Sequence, residues 1–477
     1  MKTIDVDVAV IGAGSAGLTA YRAARLHGAR VLLIERGPNG TTCARVGCMP
    51  SKLLIAAAES AHAVTPAPDF GVHAGPVRID GVAVMARLRA ERDRFVGFVL
   101  DGVDQIDPAE RVTGSARFIN PNCLQVDDHT IVNAGRIVIA TGSSPLIPTP
   151  LQGLADRVVS NDQVFDWTDL PASVAVLGAG VIGLELGQAL HRLGVRVAVF
   201  GRGNALRPLS DPAVTRSAIA CLAAEFDLRL GNTLFKAQRK GDGVEVCSAG
   251  ADGVIRIEQF ALVLSAVGRI PNLAGLQLEQ SALALDAKGI PHFDRRTMQC
   301  GSSTVFIAGD ADDERPLLHE AVDQGRIAGD NAGRFPDVRL GLRRTGLGVV
   351  FCEPQIGLAG QPYSALAEGR FATGAVSFSN QGRARVMRQN CGLLHVYAEH
   401  GSGRFLGAEM VGPRAEHLAH LLAWACQSQM TVRQMLDMPF YHPVIEEGLR
   451  TALRALQEQL DGAAAAIEHC ADCTPGM

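Results

Sequence analysis

Cys43 and Cys48 lie close together in Gly40-Thr41-Thr42-Cys43-Ala44-Arg45-Val46-Gly47-Cys48-Met49-Pro50-Ser51-Lys52. A C-x-x-x-x-C pair is too widely spaced for a tight zinc knuckle, yet it can close a small disulfide loop. Pro50 predicts a helix start just beyond the pair, which puts Cys48 near a positive helix end. That position favours the thiolate, the form that attacks disulfides and donates charge to an oxidised ring. The pair reads as a redox catalyst rather than a structural staple.

The elements that position such a pair are legible on either side of it. Val6-Asp7-Val8-Ala9-Val10-Ile11 is an apolar run ending in Gly12-Ala13-Gly14-Ser15-Ala16-Gly17. Helix-forming sequence follows to His27, then a second run, Val31-Leu32-Leu33-Ile34-Glu35. This is a βαβ unit whose glycines let backbone approach a pyrophosphate, with Glu35 placed to bond ribose hydroxyls. The unit recurs as Val174-Ala175-Val176-Leu177 before Gly178-Ala179-Gly180-Val181-Ile182-Gly183, then a helix through Leu193 and the strand Val195–Phe200. Two dinucleotides are implied. In the second unit Gly201 stands where an acid is expected, and Arg202 and Arg207 follow; these arginines suit a 2'-phosphate.

Three further strands end in turns: Arg136 to Gly142, containing Ala140-Thr141-Gly142; a run ending Gly268-Arg269-Ile270-Pro271-Asn272; and Thr304 to Asp310, ending Ala308-Gly309-Asp310. Proline-rich 145–150 is the expected link between the two nucleotide units, and another boundary is expected near 343–348.

A chain of 477 residues allows about three domains. Its 47% hydrophobic content and 52 glycines suit an α/β protein with many tight turns. The net charge of −4 and few aromatics argue against nucleic acid and anionic membrane as partners. Acids in Met1-Lys2-Thr3-Ile4-Asp5-Val6-Asp7 interrupt what a secretory signal needs, and no segment is apolar enough to span a membrane. Eleven cysteines without a signal imply a reducing cytoplasm. Cys123, Cys221, Cys247, Cys300, Cys352, Cys391 and Cys426 read as scattered free thiols behaving as small apolar residues.

In motif order the chain resembles the class I pyridine nucleotide-disulfide oxidoreductases, most nearly dihydrolipoyl dehydrogenase, and the resemblance covers nearly its whole length. It implies an α/β fold with two Rossmann-like FAD- and NAD(P)-binding domains plus a C-terminal α+β dimerisation domain. The expected division is 1–150 for FAD and the cysteine pair, 151–270 for NAD(P), 271–344 completing the FAD domain, 345–460 for the interface and 461–477 as a tail. FAD is expected on Gly12, Gly14, Gly17, Glu35 and Asp310, near Ala140, Thr141 and Gly142. The nicotinamide, NAD or NADP, is expected on Gly178, Gly180, Gly183, Arg202, Arg207, Gly268 and Arg269. The family pattern makes Cys48 the flavin-side thiol, Cys43 the interchange thiol and Lys52–Glu185 an ion pair beside the flavin. It makes His442 a general acid/base oriented by Glu447 and reaching the other subunit's site in a homodimer.

Some positions depart from the pattern. Ala44-Arg45 follows the first cysteine where an Asn usually stands at the second place, so Arg45 is either a cation lowering a thiol pKa or a solvated loop arginine. Val444 replaces the usual Thr after His442-Pro443. Pro50-Ser51-Lys52 and Gly183 favour a lipoyl-type, NAD-linked enzyme, whereas Gly201 with its arginines favours NADP. The substrate is expected to be a small or protein-bound dithiol or disulfide, and membership of a 2-oxo acid dehydrogenase complex is a compatible role. His469, Cys470 and Cys473 near the C-terminus suggest a relay dithiol, a metal site or an inert tail; no metal is assigned.

Overall fold

The computed structural model describes residues 1–462 except 155, 233, 251 and 252; the expectations for His469, Cys470 and Cys473 lie outside the described residues. The first sheet runs, edge to edge, through Arg111–Thr113, Val31–Glu35, Lys2–Ile11, Thr130–Ile139, Cys123–Val126 and Ala116–Asn120. Thr130–Ile139 serves two neighbours. Its first half pairs antiparallel with Cys123–Val126, and its last residues pair parallel with Val305–Ile307. A strand from far along the chain is thereby built into the N-terminal sheet.

The unbroken apolar runs mark strands buried on both faces. Val8, Val10, Val138 and Phe306 pack on one side, and Ala9, Ile11, Ile137 and Ile307 on the other. On the first side, helices Ser15–Arg25 and Leu318–Arg334 approach through small residues. A Cβ on Gly325 would lie 2.2 Å from the Ala16 carbonyl oxygen, and one on Gly329 would lie 2.3 Å from that of Ala20. Larger residues there would force the helices apart.

The second βαβ unit forms a parallel sheet ordered Asp227–Arg229, Arg196–Phe200, Ser173–Leu177, Leu262–Ser265 and Val158–Val159. A three-stranded antiparallel sheet accompanies it. Short strands Ser143–Pro145 and Arg269–Pro271 pair where the two nucleotide units join. The C-terminal part is a five-stranded antiparallel sheet from Leu347 to Gly412, packed against helices Ala415–Gln427 and Glu446–Asp461. None of the described helices is long and apolar enough to cross a membrane.

One sequence expectation fails here. Cys221 and Cys391 are not free but joined in a disulfide, with Cα atoms 6.3 Å apart. They are 170 residues apart in sequence. Only the docking of helix Pro212–Ala223 against the C-terminal sheet brings them together, so no local spacing announces the bond.

Candidate active site

The cysteine pair sits on two short consecutive helices. Thr41, at positive φ, caps the first, Thr42–Val46, by accepting from the Ala44 N–H at 3.2 Å. Buried Asn161 ties this turn down, its Nδ2 donating to the Val46 carbonyl at 2.7 Å. The second helix, Cys48–His62, begins at Cys48 itself, two residues earlier than the start expected at Pro50. Pro50 falls in the first turn, where a missing N–H costs nothing.

Cys48 is exposed and Cys43 partly buried. A hydrogen bond from the Cys43 thiol lowers the Cys48 thiol to about 7, opposed by partial desolvation among its neighbours and assisted by the Lys52 charge. The same bond, with burial, raises Cys43. The pair therefore has one sulfur disposed to be a thiolate and one held as a thiol. Lys52 is the cation acting on both. The charge of Arg45, one candidate for that role, is felt at Asp162, whose carboxyl burial pushes up while Arg269 and then Arg45 pull it back.

One helical turn past Cys48, Lys52 Nζ meets Glu185 Oε2 at 2.8 Å, with the lysine side chain 35% exposed and the glutamate 4%. The other Glu185 oxygen accepts the Phe351 N–H at 2.9 Å, and Lys52 Nζ lies 4.5 Å from the centre of the Phe351 ring. A carboxylate so deeply buried needs both partners. Phe351 carries no motif, and only the tertiary structure brings its backbone to Glu185.

The two glycine-rich turns repeat one geometry. A Cβ on Gly12 would lie 2.3 Å from the Ala140 oxygen and one on Gly17 1.8 Å from the Gly12 oxygen, whereas Gly14 faces open space. Gly178, Gly183 and Gly180 behave alike, with 2.3 Å to the Ala266 oxygen, 1.8 Å to the Gly178 oxygen and open space respectively. In each turn two glycines are consumed by close packing and the middle one leaves room for a phosphate group. Glu35 accepts from the Ala13 N–H at 2.6 Å and the Gly37 N–H at 2.8 Å, bracing the first turn beside its ribose-side position.

Asp310 accepts from Ser143 Oγ at 2.7 Å. Arg269, expected to bind the nicotinamide, donates to Ser143 Oγ at 2.8 Å and to the Ser143 carbonyl at 2.7 Å. Arg269, Ser143 and Asp310 are thereby joined in one hydrogen-bonded chain. Thr141 Oγ1 is buried without a hydrogen-bond partner among the described residues. That orphan hydroxyl, the open glycine and the acids Glu35 and Asp310 form a donor and acceptor set fitted to a dinucleotide with hydroxylated chains. Arg202 and Arg207 are exposed beyond the strand Arg196–Phe200. Gly268, at φ +129°, has open space around it.

His442 and Glu447 form a separate pair in the C-terminal part. His442 Nδ1 lies 3.0 and 3.1 Å from the two Glu447 oxygens, with the imidazole side chain 66% exposed. Burial raises the Glu447 carboxyl, but the bonds from His442 and the Val444 N–H outweigh it and leave it lowered. Among the described residues, no hydrogen bond joins His442 to Cys43 or Cys48 within one chain.

Comparison with known proteins agrees with this geometry. Residues 6–325 match the pyridine nucleotide-disulphide oxidoreductase family, and residues 347–453 match its dimerisation domain. A mercuric reductase of Acidithiobacillus ferrooxidans is 32% identical over 94% of this chain and 82% of its own length. A dihydrolipoyl dehydrogenase of Thermus scotoductus is 31% identical over 96% and 98%. In fold the chain is similar to the HOCl-induced flavoprotein disulfide reductase RclA from Escherichia coli in its Cu(II) complex, with a TM-score of 0.79 at 22% identity. That likeness covers 94% of this chain and 99% of the other. The chain belongs to the pyridine nucleotide-disulphide oxidoreductases, a family that binds FAD and NAD(P).

Proposed function

We propose that this protein is a dihydrolipoyl dehydrogenase-like dithiol/disulfide oxidoreductase in which Cys43 and Cys48 exchange electrons with a dithiol substrate. The observation that carries the proposal is the placement of the pair on two consecutive short helices, with Lys52, held by Glu185 at 2.8 Å, one turn past Cys48, an arrangement that lowers the Cys48 thiol and raises that of Cys43. A thiol of lower pKa is the better leaving group in disulfide exchange. The substrate thiolate attacks Cys43 Sγ of the Cys43–Cys48 disulfide, and Cys48 departs as thiolate. The second substrate thiol loses its proton and attacks the mixed disulfide. Cys43 is released, and the substrate leaves as a disulfide two electrons poorer.

FAD would be held by Gly12, Gly14, Gly17, Glu35, Thr141 and Asp310, and when bound it supplies the passage of an electron pair between sulfur and nicotinamide. The chain's own contribution beside it is electrostatic. Lys52, fixed by Glu185 and Phe351, keeps a positive charge near Cys48 and favours its thiolate. His442 takes or returns the substrate-thiol proton, with Glu447 on Nδ1 setting its tautomer. The match of 347–453 to a dimerisation domain supports a homodimer in which His442 of one protomer serves the cysteines of its partner.

A lipoyl substrate is tested by assaying purified FAD-bound protein with dihydrolipoamide and either NAD or NADP. No turnover with either nicotinamide would exclude it. A second reading, an NADPH-dependent reductase of another disulfide or of mercuric ion, is favoured by the exposed Arg202 and Arg207 and by the similarity to a mercuric reductase. If those arginines bind a 2'-phosphate, replacing both with alanine raises the dissociation constant of NADPH about 10- to 100-fold and leaves that of NADH within about twofold. Equal effects on the two nucleotides, measured by fluorescence titration, would contradict the assignment.

A further inference from the structure

We propose that the Cys221–Cys391 disulfide is a second thiol–disulfide exchange site, opened by a small dithiol, which fastens the 387–392 loop to the nicotinamide-binding part. Cys391 is an exposed residue of this loop, and Cys221 is partly buried near the end of helix Pro212–Ala223. An exposed sulfur is the one an incoming thiolate can reach.

The helix carrying Cys221 is held at both ends. At its start, Asp211 Oδ2 lies 2.7 Å from His395 Nδ1 and accepts from Tyr397 Oη at 2.8 Å. Buried Glu409 accepts the Ser210 N–H at 2.7 Å and the Asp211 N–H at 2.8 Å. Near its other end the disulfide is the covalent tether. Reduction removes that tether while the Asp211 end stays bonded and Ala218 and Leu222 stay buried in the core, so the loop can open without loss of the fold.

The loop itself is a junction. Arg388 pairs with Asp69 of the segment following the Cys48–His62 helix, and Asn390 Nδ2 donates to the Ser379 carbonyl at 3.0 Å. Gln389 Nε2 donates to Glu353 Oε1 at 2.8 Å. Glu353 in turn receives Arg192 Nη1 at 2.7 Å, and its N–H donates to Gln188 Oε1 at 2.7 Å. Gln188 and Arg192 lie on the helix that carries Glu185, the partner of Lys52. Opening the disulfide loosens a loop joined by direct bonds to that helix.

The exchange balances without a further reactant. One thiolate of the dithiol attacks Cys391 Sγ and expels Cys221 as thiolate, which takes a proton from water. The second thiol, after losing its proton, attacks the mixed disulfide and frees Cys391. The dithiol leaves as a disulfide, and the protein has gained two electrons and two protons.

The test uses FAD-bound full-length protein purified without reductant. It is exposed to increasing dithiothreitol, alkylated, and mapped by peptide mass spectrometry, with limited trypsin digestion followed at Arg388. Cys221 and Cys391 are expected to become alkylatable together while the far-ultraviolet dichroism is unchanged. Cleavage after Arg388 should then rise about tenfold and fall again when dithiol is removed in the presence of oxidised lipoamide. The Cys221→Ser and Cys391→Ser variants should be cleaved at the fast rate with or without dithiol. Three results would overturn the proposal: both cysteines alkylating fully before any dithiol is added, the bond opening only as the protein unfolds, or cleavage after Arg388 being indifferent to reduction. The titration of the unsubstituted protein decides the matter even if a variant fails to fold.

Discussion

The Cys48→Ser variant is expected to bind FAD and to lose about a thousandfold or more of its dithiol–disulfide turnover, because serine neither forms the disulfide nor leaves as a stable anion. The pH dependence of alkylation separates this from simple loss of a contact. With its thiol lowered to about 7, Cys48 in the reduced protein is mostly thiol well below that pH and mostly thiolate well above it. Its iodoacetamide rate should rise through a midpoint near 7 rather than near the ordinary value of 9.0. In Cys43→Ala the leading cause of the shift is gone, so the Cys48 midpoint should move upward. A midpoint unmoved by that change would show that the two sulfurs are not coupled. Cys43 is held in its protonated form, so it should alkylate slowly across the same range.

The second large effect belongs to His442. Replacing it with alanine is expected to lower turnover of the dithiol by about a hundred- to ten-thousandfold, the usual span for a lost general acid/base. Nicotinamide-dependent reduction of an artificial acceptor, which needs no substrate-thiol proton, should change little. Glu447→Gln, which keeps the shape and removes the charge from Nδ1, should cost less, about tenfold. The two predictions combine in a test of the shared site. Co-expressed His442→Ala and Cys48→Ser chains form mixed dimers in which one of the two sites has both residues intact. With random assembly about a quarter of the parental activity should return. A mixture as inactive as either variant alone would mean that each chain uses its own histidine.

Much of this arrangement is written locally in the chain. The glycine turns, the cysteine pair and the acids at strand ends are set by backbone needs within a few residues, and the open Gly14 and Gly180 occupy the places the fingerprints assign them. The bond between Lys52 and Glu185 follows the family pattern and not spacing, since the two lie 133 residues apart. What sequence reasoning missed depends on tertiary approach. The Phe351 N–H reaches Glu185 only because the C-terminal sheet packs against the helix Val181–Arg192. Arg269 stands in a motif assigned to the nicotinamide, and its guanidinium also bonds Ser143, which follows Ala140-Thr141-Gly142 and carries no motif of its own. Its position directly after that turn was the available signal. Arg45 reads from sequence only as a charge on a loop, and its nearness to Asp162, whose carboxyl it helps pull down, comes from the packing. Cys221 and Cys391 gave no signal at all, because a disulfide spanning 170 residues is a property of two docked surfaces.

Under the proposed function, Cys43 and Cys48 cycle between disulfide and dithiol at the expense of a nicotinamide. This cycle is tested most directly by adding NADH or NADPH anaerobically to the oxidised, FAD-bound protein, quenching with an alkylating agent and locating the new thiols by peptide mass spectrometry. Cys43 and Cys48 are expected to become alkylatable together, in step with oxidation of the preferred nucleotide, while Cys221 and Cys391 stay joined. Consumption of the nucleotide with Cys43 and Cys48 unchanged would contradict it.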